Sequence, residues 1–66
     1  MEREWLVFIR LKAIKSQKQV AEEAGITQVY LSQIENGERN PSVDTAKKIA
    51  AVLGFEWTRF YDDEAD

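Results

Sequence analysis

The 66-residue sequence contains no cysteine and no histidine. Without cysteine there is no disulfide, no thiolate nucleophile and no Cys-based metal site. Without histidine the commonest general base, most zinc sites and any Ser-His-Asp triad are also missing. Long apolar stretches are lacking too. The run Trp5–Ile9 is five residues long and none is longer, far short of a bilayer span. The opening Glu2-Arg3-Glu4 is charged and no small-residue cleavage site follows it, so no signal peptide is expected. A chain of this length holds one domain at most. Such a domain buries only about 60% of its unfolded surface. The lack of cysteine fits a reducing cytoplasm, and no catalytic residues, cofactor, metal, membrane association or small-molecule ligand are expected.

Positive charge is also scarce, since the formal net charge is −3. That balance is unusual for a nucleic-acid binder. Its distribution is uneven, however: Asp62, Asp63, Glu64 and Asp66 crowd the last five positions. Without them 9 basic residues face 8 acidic ones. The sequence therefore reads as a near-neutral body, one domain over 1–66, with an acidic tail from about 62.

What is present is a strongly punctuated helical pattern, arranged around Gln17–Gly37. Ser16 followed by Gln19 is a capping box that starts a helix with Val20, Ala21 and Ala24 inward. Gly25 stops it where a left-handed residue is needed. Thr27 caps the next helix at once, and Ile26 can staple onto Leu31. Gly37 ends that helix. Two capped helices joined by so short a turn must cross steeply, as in a helix-turn-helix. The second has Leu31 and Ile34 inward and Gln28, Val29, Ser32, Gln33 and Asn36 outward. Such a stripe of amides and small groups suits base edges in a DNA major groove.

Around this unit the spacing predicts a first helix from about Arg3 to Ile14, with Leu6 and Ile9 inward and Trp5, Phe8 and Ala13 flanking them. A strand over Trp5–Ile9 is the rival reading, because aromatic and branched residues favour strands. Val7 and Leu11 make this helix apolar on a second side, and Trp5 and Phe8 are the candidates for an exposed apolar patch. Pro41 keeps Asn40 out of the helical region, and Ser42 caps a fourth helix with Asp44 in its first turn. Val43, Ala46, Ile49, Ala50 and Leu53 repeat at helical spacing up to Gly54. Lys12, Lys47 and Lys48 read as a solvated face. A short aromatic element from Phe55 to about Asp62 closes the bundle with Trp57 and Phe60. The fold class expected is all-α, with five helices.

The stretch S-Q-K-Q-V-A-E-E-A-G-I-T-Q-x-x-L-S-Q-I-E-N-G-E-R-N-P-S resembles the lambda-repressor-like, or Cro–Xre, helix-turn-helix family. Ser16-Gln17, Ala21, Gly25, Leu31-Ser32, Ile34-Glu35, Gly37, Pro41 and Leu53-Gly54 are in register with it. The resemblance covers about Leu6 to Tyr61. The aromatic end, G-F-E-W-T-R-F, is similar to small regulators of prophages and mobile elements. The resemblance implies that Gln28, Val29, Ser32 and Gln33 approach bases. It places Gln17, Thr27, Asn36, Arg39 and Asn40 along the DNA backbone, and makes Arg10 and Glu35 a structural ion pair. It implies a homodimer on a double-stranded DNA operator.

The sequence departs from the family at Ile14 and Lys15, where relatives carry glycine or asparagine and then leucine. A branched side chain is costly in the left-handed region, so the first helix is expected to end differently. Glu38 also puts a negative charge where many relatives are basic. Tyr30 either packs beside the fourth helix or offers its hydroxyl to a phosphate. Arg10–Glu35 is either a surface pair worth about 0–1 kcal/mol or a buried one. The rival function is a protein-interaction module, an antitoxin or an adaptor of another regulator, built on the same fold.

Overall fold

The computed structural model describes residues 2–62. Among them every regular element is helical: α1 (Glu4–Lys12), α2 (Gln17–Ala24), α3 (Gln28–Glu35), α4 (Val43–Leu53) and α5 (Arg59–Asp62). The strand reading of Trp5–Ile9 fails: a strand would put Leu6 and Phe8 on one face, whereas Leu6 is fully buried and Phe8 exposed. Of the acidic tail, Asp62 ends α5, while Asp63, Glu64 and Asp66 lie outside the described residues.

Local chemistry sets three of the four long-helix starts. Ser16 and Gln19 form the reciprocal capping box, with Gln19 N–H donating to Ser16 Oγ and Ser16 N–H to Gln19 Oε1. Thr27 Oγ1 accepts from Tyr30 N–H at 3.0 Å, and Ser42 Oγ accepts from Thr45 N–H at 3.2 Å. Each cap satisfies an amide that the first helical turn leaves open. α1 starts otherwise: Arg3 makes no side-chain cap and is held by distant partners described below.

The core collects one stripe from each helix. Leu6, Val20, Ala21, Ala24, Leu31, Ile34, Ala46, Ile49 and Phe60 form one buried cluster. α2 packs against both α3 and α4, and α1 against α3. The small Ala21 and Ala24 let α2 lie between two neighbours. α4 buries Thr45, Ala46, Ile49 and Ala50, so its inward face is rotated from the one the spacing predicts. Val43 is 45% exposed and Leu53 only half-buried. Thr45 takes the buried place because Ser42 Oγ donates to its hydroxyl at 3.0 Å.

The aromatic end differs from expectation in one respect. Trp5 does not belong to an exposed patch. Its ring meets Phe55 and Phe60 edge-on at centroid distances of 5.3 and 5.2 Å, and Arg59 lies over it. A tryptophan this large lowers the free energy more by joining such a cluster than by facing water. Phe8 remains exposed, and so does Ala13. Lys47 is not simply solvated, since its ammonium sits 5.1 Å from the Trp57 ring centre. Lys48 pairs with Asp44 one turn away.

The end of α1 overturns a second expectation. Ile14 does adopt the left-handed conformation, with φ 58°, and its side chain is 88% exposed. Ile14 N–H bonds to Leu11 O at 2.9 Å and Lys15 N–H to Arg10 O at 3.3 Å. The same two-bond pattern ends α2, where Gly25 (φ 72°) takes the left-handed place. The turn at Ile14 brings Lys15 O within 3.0 Å of Arg10 Nη1, and the same guanidinium is held by Glu35 from the end of α3. Left-handed backbone costs an L-residue roughly 1–2 kcal/mol, and this isoleucine recovers little through burial. Ile14→Gly is therefore expected to stabilise the fold by about 0.5–1 kcal/mol, after allowing for glycine's unfolded-state entropy. Thermal unfolding should show a midpoint several degrees higher; a lower midpoint would mean the turn is unstrained.

Candidate nucleic-acid interface

α3 is firmly seated. Leu31 and Ile34 are fully buried and Glu35 is 2% exposed. This leaves Gln28, Val29, Ser32 and Gln33, which follow each other at helical spacing, on the side away from the core. Gln28 and Val29 are exposed, Val29 by 68%, while Ser32 and Gln33 are half-buried. Together with Gln17 from the start of α2 they line one open hollow of about 300 Å³. None of the five carries a formal charge. Such a surface recognises by amide hydrogen bonds, a hydroxyl and one apolar contact, and less by net charge.

The hollow's far edge is fixed by an ionic hub. Arg10 Nε donates to Glu35 Oε2 at 2.7 Å and Arg10 Nη2 to Glu35 Oε1 at 3.3 Å. Gln17 Nε2 donates to the same Oε1 at 2.9 Å. The side chains of Arg10 and Glu35 are only 12% and 3% exposed, so the pair is buried and the surface alternative drops out. The hub joins the end of α1, the start of α2 and the end of α3. It also ties down Gln17, whose side-chain amide is held by Glu35. Gln17 therefore takes part in the ion-pair network as well as in the hollow.

The residues expected along a DNA backbone are less uniform. Thr27 uses its hydroxyl oxygen as the α3 cap and is exposed. Asn36 is exposed and donates to Glu38 Oε2 at 3.3 Å. Arg39 is exposed, on a loop whose amides turn back to α3: Glu38 and Arg39 N–H both bond to Gln33 O. Asn40 is partly engaged by the fold, its Oδ1 accepting from Arg3 Nη2. Only its amide nitrogen is left for an outside acceptor. Tyr30 is half-buried against the core cluster.

The sequence reading missed Arg3. It is 5% exposed, and its guanidinium donates to Ile34 O at 2.7 Å and Arg39 O at 3.0 Å as well as to Asn40. Its own N–H bonds to Glu35 O at 2.7 Å. These partners are 31 to 37 residues away in sequence, so no local spacing could have revealed them. Arg3 holds the Gly37–Asn40 loop, and with it Arg39, at the end of α3. Lys15 pairs with Glu23, eight residues on, across the start of α2.

Comparison with known proteins agrees with this geometry. A helix-turn-helix family model matches residues 8–60. The HTH-type transcriptional regulator YqaF of Bacillus subtilis (strain 168) is 48% identical over 63 residues, covering 96% of this chain and 83% of that protein. The immunity repressor protein of Bacillus phage phi105 is 33% identical over 60 residues, which is 83% of this chain and 42% of the repressor. The chain thus spans most of the first relative and less than half of the second. Among solved structures, the N-terminal DNA-binding domain of SinR from Bacillus subtilis superposes with a TM-score of 0.79 at 30% identity, covering 88% of this chain and 86% of that one. Capped helices α2 and α3, the glycine turn between them and the matched span together show that the chain belongs to the lambda-repressor-like, or Cro–Xre, helix-turn-helix family of DNA-binding transcriptional regulators.

Proposed function

We propose that this chain binds specific double-stranded DNA in the cytoplasm and represses transcription, two copies occupying the halves of a palindromic operator. The observation that carries the reading is the hollow formed by Gln17, Gln28, Val29, Ser32 and Gln33. α3 enters the major groove, which is about 12 Å wide and admits one helix. Gln28 and Gln33 then meet base edges, where an amide pairs with adenine through two hydrogen bonds. Val29 offers an apolar contact to a thymine methyl, and Ser32 a hydroxyl. Gln17 and the free amides of the first turn of α2 take a phosphate. Thr27, Asn36, Arg39 and Asn40 follow the backbone on either side. The likeness to YqaF, an uncharacterized HTH-type transcriptional regulator, and to the phi105 immunity repressor supports this assignment.

Selection of bound sequences from a random DNA pool tests it: an enriched motif with two related half-sites is expected, and its absence overturns the reading. On the selected site, Gln33→Ala should weaken binding by about 1–3 kcal/mol while leaving random DNA nearly unaffected. Equal losses on both would remove Gln33 from base reading. Arg39→Ala should weaken both alike and reduce the salt slope by about one; an unchanged slope would remove its phosphate contact. The uncharged hollow and the exposed side of α1 favour one second reading, a module that binds another protein. A stoichiometric protein partner with no enriched DNA motif would decide for it.

A further inference from the structure

α1 is apolar on two sides, and only one faces the core. Leu6 is fully buried, while Phe8 is 61% and Leu11 59% exposed. No other element among the described residues covers that outer side. Phe8, Leu11 and Val7 line an open hollow of about 230 Å³ with Glu2 and Glu4. Side chains of this size exposed in line are not required by the core, and grouped apolar surface of this kind marks a contact site.

The charges along this face have an order. Glu2 and Glu4 stand at its amino end, and Lys12 at its carboxyl end. Phe8 lies midway, four residues from Glu4 and four from Lys12. The Lys12 ammonium sits 5.3 Å from the Phe8 ring centre, so the positive charge borders the apolar surface directly. A second α1 laid antiparallel about a two-fold axis at Phe8 brings each Glu4 opposite the other copy's Lys12. Each pair lies about 6 Å from the axis, four residues of helix rise. A parallel pairing would instead set Glu4 against Glu4 and Lys12 against Lys12. Two-fold symmetry allows both a parallel and an antiparallel pair, and the charges on this face complement themselves only in the antiparallel one.

We infer that the exposed face of α1 docks a second copy of this chain, α1 on α1 antiparallel, with Phe8 and Leu11 at the centre and Glu4–Lys12 pairs at both ends. This deepens the two-copy reading above and rests on it. One helix face is smaller than the roughly 1,200 Å² of a stable interface. Pairing is therefore weak in free solution and strengthens when two copies are held close on one DNA.

The test is a dilution series of the labelled full chain by NMR, from millimolar to micromolar, with sedimentation as a second readout. Signals of Val7, Phe8 and Leu11 should move with concentration. Glu4→Lys and Lys12→Glu should each weaken association by roughly tenfold or more, since each sets two like-charge pairs across the axis. Combining the two should restore it. Circular dichroism confirms that the exposed substitutions leave the fold intact. Concentration-independent signals overturn the proposal, as does association that ignores the charge exchange or maps to another surface or another protein. The DNA selection separates the failures. An enriched motif with an unmoved α1 defeats only this docking; α1 pairing without a motif defeats only the DNA reading.

Discussion

Glu35→Ala is expected to destabilise the protein by about 3–5 kcal/mol, because it strands the partly buried Arg10 guanidinium without its carboxylate. Both Glu35 oxygens are engaged, one by Arg10 and the other by Arg10 and Gln17. Domains have roughly 0.05–0.15 kcal/mol of stability per residue, so a loss of this size brings a chain this small close to unfolding. Urea denaturation measures it. Replacing both Arg10 and Glu35 by apolar residues of similar shape should cost less than Glu35→Ala alone, since no charge is then left buried. A loss below about 1 kcal/mol for Glu35→Ala would instead place the pair among ordinary surface bridges. Glu35→Gln keeps an acceptor for Gln17 while removing the charge. If Gln17 meets a phosphate, it should retain more DNA affinity than Glu35→Ala at equal folded fraction.

Arg3→Met is expected to lower stability by about 2–3 kcal/mol, within the range for hydrogen bonds made by a charged group. Methionine keeps an apolar side chain of similar length but removes the guanidinium that lies over Phe60 and leaves Ile34 O, Arg39 O and Asn40 Oδ1 without it. The effect should be uneven. Amide exchange should quicken most over Gly37–Asn40, the loop those bonds hold. Arg3→Lys should rescue little, because one ammonium cannot reproduce the fork that reaches three acceptors on two sides. Uniform quickening of exchange along α1 and α3 would mean that Arg3 acts through bulk packing and does not fix the loop.

These two residues explain how the uncharged outer surface of α3 can be kept stiff. α3 is held from below by Leu31 and Ile34. Its carboxyl end is held by Glu35, and the carbonyls there receive Arg3. Side chains on a helix so fixed lose little further freedom on binding, which raises affinity without adding contacts. The same framework aims Gln17 at the hollow through Glu35. A mutation at Glu35 is thus expected to reach the interface although its own carboxylate does not face it.

Much of this molecule was written locally. Ser16 with Gln19, Thr27 and Ser42 determine where α2, α3 and α4 begin, because a cap acts on amides two or three residues away. Gly25 and Gly37 determine where the helices of the central unit stop. The period of Val20, Ala21, Ala24, Leu31 and Ile34 determines which faces turn inward, and hence that Gln28, Val29, Ser32 and Gln33 turn outward. Only the tertiary structure decided the rest. Ile14 takes a left-handed turn against its own preference, where Arg10 binds both the Lys15 carbonyl and the distant Glu35. Trp5 joins Phe55 and Phe60 from the far end of the chain, and Arg3 is buried among acceptors that local spacing cannot anticipate. Capping and periodicity are interactions within a turn or two, so they are visible in sequence; buried charge and strain are set by groups that meet only when distant segments pack.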